Sequence, residues 1–112
     1  MQQWWVYMVR CADRSLYTGI CTEPARRFYE HNHSPKGARY TRVRRPVVPI
    51  LLVPGGDRST ASQLEAGLKR LSRANKDKLL AALREEKRRQ PLSIWLEDSE
   101  YINGEQGNDT VA

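Results

Sequence analysis

The chain has 112 residues and a formal charge of +6, a size that fits one small domain with a modest core and leaves no room for a large cofactor beside it. Residues 91–112 hold Glu97, Asp98, Glu100, Glu105 and Asp109 and no Lys or Arg, so the total resolves into −5 there and +11 on the first 90 residues. No apolar run approaches the roughly 18–20 residues of a membrane span, and Met1-Gln2-Gln3-Trp4-Trp5 lacks the basic start of a signal peptide, so a cytoplasmic protein is expected.

Trp4 to Arg10 is aromatic and β-branched and predicts a strand. Asp13-Arg14 is a polar turn, and Leu16 to Ile20 predicts a second strand, antiparallel to the first because the connection is short. Thr22 can cap a helix that holds Pro24 in its first turn and ends near Asn32–Ser34, before Pro35 and Gly37. Ala38 to Arg42 offers one more turn. Val47 to Val53 predicts a third strand, with Pro49 placing it at an edge or marking a bulge. Pro54-Gly55-Gly56-Asp57 predicts a turn. A helix follows from Ser59 or Thr60, with Gln63 as a capping-box partner and an apolar stripe of Leu64, Leu68 and Leu71. Asn75 is the expected cap of a last helix that runs to about Arg89 with Leu79, Leu80 and Leu83 inward; Leu92 to Leu96 could dock as a short extension. The order is ββαβαα, an α+β domain over residues 1–90 with an acidic extension over 91–112, flexible beyond about 102. Cys11 and Cys21 have neither CxxC spacing nor companions for zinc, and read as small buried side chains.

The +11 body attracts polyanions. Nucleic acid is the first candidate partner; an anionic membrane is second and lacks the one-sided amphipathic helix it needs. Trp5, Tyr7 and Val9 share one strand face, and Tyr17 lies on the neighbouring strand. Gly19 stands two residues on, where a missing side chain opens space for a substrate or a close helix. Arg27 and His31 are four apart on one helical face, and Glu65 borders the leucine stripe. Phosphodiester hydrolysis needs an activated water, charge neutralisation at the phosphoryl group and help for the departing oxygen. A lone carboxylate suits one hard cation if water and phosphate oxygens fill its other positions. Arg27 offers a fork of donors to phosphate. Tyr7 or Tyr17 can position the water or act as base, and His31 is better tuned as a proton acceptor. Each residue also has a plainer role: Tyr7 and Tyr17 as core aromatics, His31 as a helix-end cap, Glu65 as the i+4 partner of Lys69, Asn75 as a cap.

The ordered segments Trp5-Val6-Tyr7-Met8-Val9, Ser15-Leu16-Tyr17-Thr18-Gly19-Ile20 and Pro24-Ala25-Arg26-Arg27-Phe28-Tyr29-Glu30-His31 resemble the GIY-YIG nuclease domain. Lys36-Gly37-Ala38-Arg39-Tyr40-Thr41, Gly56-Asp57-Arg58-Ser59 and the Glu65 to Ser72 stretch resemble its short, stand-alone bacterial YhbQ-like branch. The match covers about residues 4–85. The resemblance implies a small three-stranded antiparallel sheet flanked by helices, and a DNA endonuclease working with one divalent cation, Mg²⁺ or Mn²⁺. It places the family's tyrosines on Tyr7 and Tyr17, its glycine on Gly19, its arginine on Arg27, its histidine or tyrosine on His31 and its metal ligand on Glu65. Arg26, Lys36, Arg39, Arg42, Arg44 and Arg45 are the expected phosphate-binding residues around that site, with Tyr7 the preferred base. Val6, Met8 and Thr18 depart from the family triplets, and only Asn75 could supply a downstream asparagine. DNA is the expected partner, with RNA open, and the implied task is structure-selective cleavage in DNA repair or recombination. No reader domain follows, so a protein partner that selects targets is also expected. The alternative is a non-catalytic or partner-dependent nucleic-acid-binding module.

Overall fold

The computed structural model describes residues 2–97, so expectations for the acidic extension past Glu97 lie outside the described residues. The elements are β1 (Trp4–Arg10), β2 (Leu16–Cys21), α1 (Pro24–His33), α2 (Arg39–Arg42), β3 (Val48–Gly56), α3 (Arg58–Lys69), α4 (Arg73–Arg89) and β4 (Trp95–Leu96). The expected order is kept, in an α+β fold with an antiparallel sheet flanked by helices. Among the described residues the sheet has four strands, β2-β1-β3-β4, rather than three. The added strand is the end of the Leu92–Leu96 segment, β4, which pairs Leu96 with Leu51 and Trp95 with Leu52. A forked ion pair from Arg10 to Glu97, at 2.9 and 3.2 Å, fixes the chain just past it.

β1 is paired on both sides, and Val6, Tyr7, Met8 and Val9 are all buried. A strand covered on both faces needs apolar side chains at consecutive positions, which explains the unbroken run. One face carries Tyr7, Val9, Cys11, Cys21 and Val47, with Trp5, Tyr17 and Phe28 around them. Opposite lie Met8, Ile50, Leu51, Leu80 and Leu96, and next to them Val6, Ala61 and Leu68. Both cysteines are free and buried, and burial pushes both thiols up, so they behave as small apolar side chains.

Pro49 sits at a bulge rather than on an edge strand. Met8 pairs with Leu51 and Val9 with Pro49, so Ile50 is passed over, and the extra residue turns both Ile50 and Leu51 into one core cluster. Pro54 to Gly56 continues β3 instead of turning, with a second irregularity where Trp5 faces Pro54 and Trp4 faces Gly56. Three caps differ from expectation. Glu23 occupies the cap position of α1 without a side-chain bond, and Thr22 does not cap it. Asp57 accepts from the Thr60 amide at 2.8 Å, two or three residues earlier than a Ser59 or Thr60 cap. Ser72 accepts from the Asn75 amide at 3.1 Å, so Asn75 lies inside α4. Within the leucine stripe of α3, Leu68 is buried but Leu64 is exposed.

Asn32 closes the segment between α1 and β3. Its side-chain amide donates to the Val47 carbonyl at 2.9 Å, and its carbonyl accepts from the Val47 amide at 2.7 Å. This pair of hydrogen bonds copies a strand partner and brings the stretch from His33 to Pro46 back to the sheet.

Candidate active site

The site forms where α1 and α2 cover the β1–β2 half of the sheet. Antiparallel register sets Tyr7 opposite Gly19 and Val9 opposite Tyr17. A Cβ built on Gly19 would lie 2.5 Å from the Tyr7 hydroxyl oxygen and 2.6 Å from its Cζ. The space left by the glycine therefore houses the Tyr7 phenol, not a substrate as the spacing allowed.

Tyr7 is 1 % exposed and His31 is 0 % exposed. The Tyr7 hydroxyl meets His31 Nε2 at 2.6 Å, and His31 Nδ1 meets Thr41 Oγ1 at 2.8 Å. Phe28 packs edge-on against the Tyr7 ring at 5.4 Å between centroids. Burial pushes the Tyr7 phenol above its ordinary 10.0, against the opposing pull of the nearby Arg27 guanidinium. Burial, reinforced by positive Arg27, lowers His31 from 6.5 to about 4. Both groups are therefore neutral at pH 7, and His31 is an interior residue hydrogen-bonded at both ring nitrogens rather than a helix-end cap.

Tyr17 separates this buried pair from the surface. Its ring lies 6.4 Å from Tyr7, 5.5 Å from His31 and 5.9 Å from Tyr40, with which it stacks. Lys69 Nζ stands 6.0 Å from the Tyr17 centroid and 3.1 Å from Glu65 Oε2. The i+4 pairing of Glu65 with Lys69 is present, and that lysine stands near the Tyr17 ring. Arg27 is part-buried; its Nη1 donates to Glu30 Oε1 and to the Lys36 carbonyl, both at 2.9 Å. That contact holds the Glu30 carboxyl below the usual carboxylate range and steadies the guanidinium beside Tyr7.

The wider basic set divides. Arg26 is exposed and flanked by Glu23 and Glu30 at 3.6 and 3.9 Å. Lys36, Arg39 and Arg42 are exposed along the α1–α2 rim. Arg44 bonds Asp13 at 3.0 Å and lies 3.8 Å over the Tyr40 ring. Arg45 commits its donors to the fold: it bonds the carbonyls of His31, Glu30 and Ser34 at 2.6, 3.1 and 2.6 Å, closing the C-terminal end of α1. Asn75 is exposed at the start of α4. Thr41, Tyr40 and Glu30 had no role in the sequence reading, and Lys69 entered it only as the i+4 partner of Glu65. Thr41 and Tyr40 lay in the quoted Lys36–Thr41 stretch, and the i+3 spacing of Arg27 and Glu30 was the available signal for that pair.

A tyrosine on each of two adjacent strands, an arginine and a histidine on the following helix, and a carboxylate on α3 define a class. The GIY-YIG catalytic domain model matches residues 3–78, and the chain belongs to that nuclease family. Its curated relatives are short proteins. The chain is similar to the UPF0213 protein DP2720 of Desulfotalea psychrophila, at 54% identity over 79 residues, spanning 70% of this chain and 72% of that protein. It is similar to the UPF0213 protein YhbQ of Escherichia coli K12 at 40% identity, spanning 72% and 80%. A solution NMR structure of the UPF0213 protein BH0048 from Bacillus halodurans aligns at 36% identity over 72% of this chain and 85% of that one, with a TM-score of 0.49. The expected YhbQ-like branch is therefore the one it joins. No described helix is long and apolar enough to cross a membrane.

Proposed function

We propose that the protein is a DNA endonuclease of the GIY-YIG type that hydrolyses phosphodiester bonds with one divalent cation, Mg²⁺ or Mn²⁺. The observation that carries this reading is the buried Tyr7–His31 hydrogen bond beside Arg27. Arg27 binds and neutralises the scissile phosphate through its fork. Tyr17 bounds the entry on the solvent side and orients the attacking water. Tyr7 takes a proton from that water as its own proton passes to His31 Nε2. The water oxygen forms the new P–O bond, and the departing oxygen leaves with its bonding pair and takes a proton from solvent. Free phenolate is costly in this buried place, so the two proton transfers accompany the attack instead of preceding it.

Glu65 is the metal-binding residue of the proposal. Among the described residues no cluster of three His, Cys, Asp or Glu side chains could hold a metal. One half-buried carboxylate fits a hard cation that keeps water and phosphate oxygens as its other ligands. When bound, such a cation stabilises charge on the phosphoryl oxygens. Lys69 must yield to it, and its exposed ammonium can swing away from the half-buried carboxylate into solvent at little cost. Lys36, Arg39, Arg42 and Arg44 supply sequence-independent phosphate contacts. Target choice then falls to DNA structure or a protein partner, in repair or recombination in the cytoplasm.

A second reading, a binding module that cuts only within a complex, is favoured by the closure of Tyr7 and His31 from solvent. One experiment separates the two. Wild type, Glu65→Ala and Arg27→Ala are assayed on nicked, flapped, branched and plain duplex DNA with Mg²⁺, Mn²⁺ or chelator. The endonuclease reading expects chelator-sensitive cutting that Glu65→Ala abolishes while DNA binding persists. Retention of full cutting by Glu65→Ala removes the proposed site, and binding without cutting by wild type selects the module.

A further inference from the structure

The proton path above, on whose reading this inference rests, works only if His31 Nε2 carries no proton in the resting protein. A neutral imidazole has one donor and one acceptor nitrogen, and the partner of one nitrogen sets the other. The Tyr7 hydroxyl is buried, and its neighbour Arg27 can only donate. Among the described residues, His31 Nε2 is the acceptor recorded for the Tyr7 O–H. On the opposite side, Thr41 is fully buried, and its hydroxyl also reaches the Ala38 carbonyl at 2.9 Å. A hydroxyl that donates to that carbonyl presents lone pairs to His31 Nδ1, so Nδ1–H donates to Thr41 and Nε2 receives from Tyr7. With the opposite tautomer the buried Tyr7 proton would have no acceptor, an arrangement folded proteins avoid.

We propose that Thr41 is a positioning residue: by accepting the Nδ1 hydrogen of His31 it fixes Nε2 as the acceptor for the Tyr7 proton. It touches neither DNA nor the water. Arg45, bonded to the His31 carbonyl at 2.6 Å, holds the same residue from its backbone side. Hydrogen bonds to both ring nitrogens and to its own carbonyl thus constrain the imidazole. The groups facing it are Tyr7 from β1, Tyr17 from β2, Arg27 and Glu30 from α1, Thr41 from α2 and Arg45 beyond it.

Imidazole ¹⁵N NMR of the resting full-length chain tests this without DNA or metal, with His33→Gln removing the other histidine signal. The expected wild-type spectrum has a protonated, pyrrole-type Nδ1 and a bare, pyridine-type Nε2. Thr41→Val deletes the acceptor and is expected to mix the tautomers; Thr41→Ser, which keeps the hydroxyl, restores one. On a cleavable DNA, Thr41→Val lowers kcat by roughly tenfold, the scale of one lost neutral hydrogen bond, with KM little changed, and Thr41→Ser recovers most of the rate. A protonated Nε2 in wild type overturns the proposal, as does a Thr41→Val spectrum like wild type, or mixed tautomers with an unchanged rate. If Thr41→Val does not fold, the wild-type and Thr41→Ser spectra still decide the tautomer. If wild type cuts no DNA, the endonuclease reading fails separately and the spectra still decide the hydrogen-bond chain.

Discussion

Adding one methyl group at Gly19 should disable the site from the inside. The new Cβ would stand 2.5 Å from the Tyr7 hydroxyl oxygen and 3.1 Å from its Cε2, well inside van der Waals contact. The Tyr7 ring has little freedom to retreat, because it is 1 % exposed and packed edge-on by Phe28. Overpacking of a filled core costs about 1–3 kcal/mol, and loss of the 2.6 Å Tyr7–His31 bond adds about 1 kcal/mol. The total of about 2–4 kcal/mol corresponds to a fall in Tm on the order of 10–25 °C for a domain of this size. Gly67→Ala is the control. That glycine lies within α3, and a Cβ there meets nothing within 4 Å. It should gain about 0.8–1 kcal/mol from helix propensity and raise Tm. Calorimetry or urea melts of both variants measure the contrast. If Gly19→Ala melts with wild type, or both variants shift alike, the close approach of Gly19 to Tyr7 does not govern this face of the sheet.

Acid should weaken the fold through His31. Its folded value of about 4 lies below the ordinary 6.5, so the unfolded chain binds the extra proton first, and this contribution is intact above pH 6.5 and lost as pH falls toward 4. The loss amounts to roughly 3 kcal/mol; urea midpoints that stay flat from pH 7 to 4.5 would contradict it. Arg14 has a left-handed φ of 72° in the β1–β2 turn, so Arg14→Gly should stabilise the protein by up to about 1 kcal/mol, and an unchanged or lower Tm would count against strain there. DNA binding should weaken steeply with salt and differ little between sequences. Removing exposed Arg39 and Arg42 together should flatten that salt slope by close to two phosphate contacts, as fluorescence titrations over a salt series would register. Arg45→Ala should instead lower Tm with little effect on that slope, since its guanidinium is bonded to three carbonyls; a large slope change would return Arg45 to the phosphate-binding set.

Some of this was legible in the residues and some was not, for physical reasons. Period-two alternation put Trp5, Tyr7 and Val9 on one face, and that face is a single cluster. Alternation does not carry register, so the role of Gly19 emerged only when β1–β2 pairing set it opposite Tyr7. The caps of α3 and α4 were misplaced because Asp57-Arg58-Ser59-Thr60 and Ser72-Arg73-Ala74-Asn75 each offer several capping side chains, and the earliest one takes the bond in both. Pro49 left an edge and a bulge equally open, and only the Leu96 pairing beyond it decided for the bulge. Arg45 looked like any other basic residue because its partners are backbone carbonyls, which leave no trace in residue type. Helical spacing alone gave Glu65 its lysine partner, but the approach of Lys69 to Tyr17 depends on how α3 crosses the sheet.

The Asn32 clasp on Val47 has a consequence for how such proteins diversify. One amide ties off the root of the His33–Pro46 stretch, so the stretch behaves as a cassette mounted on the sheet. Its length and composition can drift with little entropic penalty at the root, because closure cost grows only slowly with loop length. The cassette carries Lys36, Arg39, Tyr40, Thr41, Arg42, Arg44 and Arg45. An exchange of that one segment would therefore reset which polyanion is gripped and how the His31 imidazole is held, while the strands bearing both tyrosines stay as they are.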